Sequence, residues 1–170
     1  MRGGFGAYRR LVWDMQSNMA SDETLRDTAL RLLNRREYSA DELCERLRLR
    51  GFAADAAKSV VVELSAAGLQ SDERYAQMLV RHRVLQGYGP VRIRAELRQR
   101  GVAEGVIAAA LSSADVEWDT VAHRVHEKRV SASGVASDRL EQAREQRYLS
   151  RRGFTSSQIR QAVKGSGDED

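Results

Sequence analysis

The sequence predicts an all-α protein built from three tandem three-helix, helix-turn-helix-like repeats, arranged as an elongated curved solenoid. The first observation behind this is a recurring motif. Arg46-Leu47-Arg48-Leu49-Arg50-Gly51-Phe52 returns as Glu96-Leu97-Arg98-Gln99-Arg100-Gly101-Val102 and again as Tyr148-Leu149-Ser150-Arg151-Arg152-Gly153-Phe154. The glycines lie 50 and 52 residues apart, a period that marks stacked repeats. The second is that apolar residues recur at helical spacing, with no useful length of strand-like alternation. The third is that Gly51, Gly101 and Gly153 each follow such a helical stretch, where a left-handed exit is expected.

The first repeat is expected over residues 21–70. It opens near Ser21, with Asp22 and Glu23 suited to a first helical turn. Leu25, Ala29, Leu32 and Leu33 then form one face. Ser39 is placed to cap the next helix, with Glu42 at capping-box spacing. Leu43 and Leu47 point inward there, followed after Gly51 by Ala57, Val60, Val61 and Leu64.

The second repeat, residues 71–114, follows the same plan. Ser71 caps, Asp72 and Glu73 fill the first turn, and Tyr75, Ala76, Leu79 and Val80 are buried. Pro90 stands at a first helical position, where its missing N–H costs nothing. Ile93 and Leu97 match Leu43 and Leu47, and Val106, Ile107, Ala110 and Leu111 form the last apolar face. The third repeat, residues 115–164, has Asp115 as a candidate cap for a helix carrying Trp118, Val121, Ala122 and Val125. A mobile polar loop is expected at Ser131–Ser137. A helix then runs from Asp138 to Arg152, followed by one carrying Ile159, Ala162 and Val163. Residues 1–20 read as a flexible leader and 165–170 as a disordered acidic tail.

Net charge is +4, which alone does not identify a nucleic-acid binder. Arginine dominates: Lys58, Lys128 and Lys164 are the only lysines among 28 basic residues. A GC-rich genome favours arginine codons, so placement carries more weight than number. From Arg81 to Arg100 lie Arg81, Arg83, Arg92, Arg94, Arg98 and Arg100, with Glu96 the single carboxylate. Arg92, Glu96 and Arg100 fall on one line of the helix and form a candidate self-neutralised ladder, which leaves Arg94 and Arg98 freer. Arg46, Arg48 and Arg50 occupy equivalent places in the first repeat, preceded by Arg35 and Arg36, and the third motif carries Arg151 and Arg152. Any one of these is ordinarily a solvated charge. Aligned along a flank, the set would create a field suited to a phosphate backbone or an acidic protein groove. Tyr88, like Tyr38 and Tyr148, is available to stack on a base or partner, although closing the end of a core is the plainer role.

Catalytic signals are missing. There is no phosphate-binding G-x-x-x-x-G-K-[ST], no G-x-S-x-G and no paired-cysteine motif, so neither an enzyme nor a cofactor is expected. His123 and His126 are better read as surface histidines than as metal ligands. The lone Cys44 excludes an intramolecular disulfide and suits a reducing cytoplasm. No long apolar run or export signal appears.

These residues resemble the bacterial RecX family, regulators of the RecA recombinase. The first repeat contributes Arg36-Glu37-Tyr38-Ser39, Glu42-Leu43 and the run from Leu47 to Phe52. The second contributes Asp72-Glu73-Arg74-Tyr75-Ala76, Arg81-His82-Arg83, Gly89-Pro90-Val91-Arg92-Ile93 and Glu96 through Val102. The third contributes Tyr148 through Phe154. The resemblance covers about residues 22–164. It implies tandem three-helix repeats that bind RecA filaments on DNA in the helical groove and inhibit strand exchange, ATP hydrolysis and co-protease action. By this likeness the protein would modulate DNA repair and the SOS response. It also implies DNA binding and no enzymatic activity; for this chain the expectation is weak, phosphate-directed binding to single- and double-stranded DNA, no membrane association and a monomer. Two other readings stay open on the residues: a DNA-binding protein independent of RecA, and a helical scaffold for an acidic protein.

Overall fold

The computed structural model describes residues 24–133 and 139–164, and every regular element among them is a helix. There are nine: α1 (24–33), α2 (Ala40–Arg48), α3 (Ala54–Ala66), α4 (Asp72–Leu85), α5 (Pro90–Gln99), α6 (Glu104–Ser112), α7 (Trp118–Ser133), α8 (Arg139–Arg152) and α9 (Ser156–Lys164). The expected leader, the Ser21–Glu23 opening, residues 134–138 of the expected loop and the expected tail lie outside the described residues. One compact unit ends at Asp72 and a second begins at Glu73.

In the first unit, Leu25, Ala29 and Leu32 of α1 meet Leu43 and Leu47 of α2 and Ala57, Val60, Val61 and Leu64 of α3, all buried. The apolar spacing makes each helix one-sided, and the three sides close on one another. Leu33 and Cys44 pack partly buried against this core. Ser39 caps α2 by accepting a 3.1 Å hydrogen bond from the Glu42 N–H. Gly51 leaves α2 at φ 92°, a conformation that disfavours any Cβ. The buried Gln70 side chain donates to the Tyr38 carbonyl and to Asp72, which also accepts from the Ala40 N–H. This polar knot ties the chain after α3 to the start of α2.

The second unit holds the other two helical triplets. Tyr75, Ala76, Leu79 and Val80 of α4, Ile93 and Leu97 of α5, and Ile107, Ala110 and Leu111 of α6 form one cluster. Val121 and Ala122 of α7, Leu149 of α8, Phe154, and Ile159 and Ala162 of α9 form another. Two expectations for the third triplet need correction. Asp115 does not cap α7: it adopts φ 48° in the preceding turn, and the helix starts at Trp118. The same helix runs on to Ser133, so Ser131–Ser133 are helical rather than loop. Trp118 packs against the α4–α6 cluster, while Val84 of α4 packs against the α7–α9 cluster. The two triplets therefore share side chains.

A second link joins them through the backbone. The Gly89 N–H donates to the Arg152 carbonyl at 2.8 Å, and the Val91 N–H to the Gly153 carbonyl at 3.0 Å. The start of α5 is thus closed by the end of α8, positive dipole end to negative. Only glycines permit this approach. A Cβ on Gly89 would lie 2.5 Å from the Gly153 carbonyl carbon and 2.6 Å from the Phe154 nitrogen.

Candidate functional site

The arginines of the described residues do not form a row of free charges, because most are held by specific partners. In the first unit, Arg36 lies 3.7 Å over the Tyr38 ring and donates to both oxygens of the buried Glu42. Arg46 also reaches Glu42, at 3.8 Å, and Arg48 reaches Glu45 at 3.5 Å. Arg50 turns back to the Arg46 carbonyl. Arg35, with Arg31 and Arg50, lines a depression of about 370 Å³ that also includes Phe52.

In the second unit the expected ladder is replaced by a different pairing. Arg83 of α4 clasps Glu96 of α5 through two bonds of 2.6 and 2.8 Å. Its hydrogen bonds hold the Glu96 carboxyl below the usual carboxylate range; Arg100 and Arg92 contribute more weakly through their charge. Arg94 and Arg98, expected to be the freer pair, both bind Glu104 at the start of α6. The cause is tertiary: the Gly101 turn swings α6 back until Glu104 stands beside residues six and ten positions earlier. Those hydrogen bonds, first from Arg98, lower the Glu104 carboxyl as well.

Around Tyr88 the geometry is aromatic and cationic at once. The Arg92, Arg152 and Arg83 guanidinium carbons lie 4.8, 4.9 and 5.8 Å from its ring centre. Arg92 also donates to the Arg151 carbonyl, and Arg152 donates to the Gln86 carbonyl at 2.7 Å. The ring packs partly buried against the α4–α6 core, so its nearest partners come from this chain. Arg83, Tyr88, Arg92, Glu96 and Arg100 line a depression of about 360 Å³. Arg81 and Arg151 are exposed.

Some polar residues here lay outside the expected set. Arg152 also approaches Tyr148, at 5.2 Å, and Arg129 of α7 lies 4.1 Å from the same ring. Arg129 binds Glu145 at 2.6 Å, and Glu145 is buried facing His126 at 3.6 Å. His126 is therefore a core residue and not a surface histidine: it follows Ala122 by one helical turn and shares that inward face. The period alone offered that signal. Among the described residues no group of three or more His, Cys, Asp or Glu is placed to hold a metal ion. No helix among them is long and apolar enough to cross a membrane. Burial raises the Cys44 thiol above its ordinary range, with Asp41 adding to the effect.

The fold and these surfaces define a protein of tandem three-helix repeats with guanidinium groups seated on partly buried tyrosine rings. The pattern described as the first three-helix domain of RecX matches residues 26–64, the second residues 71–111 and the third residues 115–163. The chain belongs to the RecX family of regulatory proteins. It is 46% identical over 151 residues to the regulatory protein RecX of Halorhodospira halophila, covering 89% of this chain and 93% of that one. Identity to RecX of Chromohalobacter salexigens is 42% over 142 residues, covering 84% and 92% of the two chains. The crystal structure of RecX from Lactobacillus salivarius superposes with a TM-score of 0.74 at 21% identity, covering 86% of this chain and 97% of that one, a likeness of fold.

Proposed function

We propose that this protein binds RecA filaments assembled on DNA and restrains their strand exchange, ATP hydrolysis and co-protease action, acting as a monomer in the cytoplasm to temper recombination and the SOS response. Family membership across all three helical triplets is the observation that carries this reading. The chemistry of the surface supports it. Arg92 and Arg152 are held on the Tyr88 ring and on backbone carbonyls, so less side-chain entropy is lost when an anionic surface arrives. Several linked triplets on one chain also make a second contact nearly intramolecular once the first has formed, so modest contacts sum to tight binding. The members of the arginine set that we assign to the filament are Arg81, Arg92, Arg100, Arg151 and Arg152, together with Arg35 and Arg50. Arg94 and Arg98 contribute less, being engaged by Glu104.

The deciding experiment is a titration of this protein into RecA hydrolysing ATP on single-stranded DNA. The expected result is loss of turnover with fewer protein molecules than RecA subunits. Unaltered turnover at excess protein, together with direct and steeply salt-dependent DNA binding, would favour a DNA-binding protein that works without RecA. Binding to a partner that survives complete nuclease treatment, with RecA unaffected, would favour a scaffold for an acidic protein.

A further inference from the structure

Beside the arginine set, with which it shares Arg152, the second unit has a recess of about 490 Å³ between the end of α4, the outer side of α7 and the end of α8. Four cations line it, Arg124, Lys128, Arg129 and Arg152, and no carboxylate does. On the α5 surface Glu96 and Glu104 pair with Arg83, Arg94 and Arg98, whereas in the recess only Arg129 has a carboxylate partner among the described residues, Glu145. Arg124 and Lys128 are exposed and stand one helical turn apart, a spacing at which like charges repel. Among the described residues no carboxylate pairs with either. Arg129 and Arg152 are fixed in place. The first is anchored by Glu145 and the second by the Gln86 carbonyl, and both guanidinium groups lie near the Tyr148 ring. The recess thus combines two anchored guanidinium groups with two exposed cations. On its lining lies Leu85, 81% exposed, an apolar surface with no cover.

We propose that this recess is a binding site for the backbone of single-stranded nucleic acid, one phosphate among the cations and the adjoining sugar or base on Leu85. The volume falls in the range of sites that hold a single small molecule, the scale of a nucleotide. Three cations with no carboxylate partner among the described residues, Arg124, Lys128 and Arg152, favour a strong anion over a neutral ligand, while the charge of Arg129 is offset by Glu145. Leu85 selects the strand form: unpaired bases offer an apolar face to cover it, whereas a duplex keeps its bases stacked inside and leaves it wet. The site rests on the proposed action at DNA-bound filaments, and it names a contact on α7 that the arginine row does not contain.

The test uses the whole protein without RecA, so its outcome is separate from that of the ATPase titration. Binding of a labelled oligothymidylate is followed by fluorescence anisotropy across a salt series, for the native chain, for Arg124→Ala/Lys128→Ala and for Arg94→Ala/Arg98→Ala. The expected result is an affinity about tenfold lower for the α7 pair, and a salt slope shallower by up to about 0.7, the contribution of the one phosphate of a single strand held in the recess. The α5 pair should change far less. Leu85→Ser should weaken single-strand binding and leave binding to a duplex of the same length unchanged. Both α7 side chains are exposed, and an unaltered thermal melt verifies that the variant is folded. The proposal is overturned if the folded α7 variant keeps native affinity and slope. It is equally overturned if duplex binding falls as much as single-strand binding, or if polyglutamate competes as well as the oligonucleotide.

Discussion

Replacing Gly153 by alanine tests the joint between the second and third triplets, and its cost can be worked from the structure. Gly153 sits at φ 87°, where an L-residue loses about 1–2 kcal/mol. The new Cβ would lie 2.5 Å from the Arg92 nitrogen and 2.9 Å from its Cα, backbone atoms that have no rotamer by which to retreat. Separating the two chains would stretch the Gly89-to-Arg152 and Val91-to-Gly153 hydrogen bonds, each worth about 1 kcal/mol. Conformation, overpacking at about 1–3 kcal/mol and the two lost bonds together come to roughly 4–7 kcal/mol. Gly51→Ala is the matched control. It has φ 92° and nothing within 4 Å of its Cβ, so only the conformational part, about 1–2 kcal/mol, applies. Urea melts by far-UV circular dichroism give the two stabilities, and hydrogen exchange gives the location. The amides of Gly89 and Val91 should lose protection in Gly153→Ala and keep it in Gly51→Ala. If Gly153→Ala costs no more than Gly51→Ala and leaves those amides protected, the joint does not hold the triplets as described.

Other perturbations follow from the ion pairs. Glu96 is held below the ordinary carboxylate range by Arg83, so its contribution is present above that range and is lost as pH falls through the lowered folded value. Arg83→Met should flatten the fall in stability of acid urea melts, with a loss at neutral pH under about 1 kcal/mol after solvent screening. Glu104→Gln should release Arg94 and Arg98 and steepen the salt dependence of DNA binding by up to two phosphate contacts, about 1.4 in slope on a single strand. An unchanged slope would mean that those arginines face no phosphate. The Cys44 thiol is raised by burial, so at pH 8 it should react with a thiol reagent several-fold slower than a free cysteine peptide until urea opens the first unit.

Much of the fold was legible because its signals are local. The apolar period placed Leu43, Leu47, Ile93 and Leu97 inward, and each is fully buried. Gly51, Gly101 and Gly153 marked exits that require positive φ, a property of one residue and its two dihedrals. Pro90 announced the start of α5 for the same reason. The start of α7 departs from the expectation because Asp115, which has the chemistry of a cap, adopts φ 48° instead, and the helix begins at Trp118, which packs against the α4–α6 cluster.

The charge pattern was read correctly as cationic and incorrectly as to which cations are engaged. Along a single helix, Arg92, Glu96 and Arg100 are neighbours, and a ladder is the natural inference. Tertiary packing brought Arg83 to Glu96 from another helix, and Glu104 to Arg94 and Arg98 across a turn. The sequence by itself determined helix positions, core faces and family, since those depend on spacing along one chain. Only the tertiary structure decided which guanidinium groups are engaged and which face the recess beside α7, because a charge is satisfied by whatever lies within a few ångströms in space.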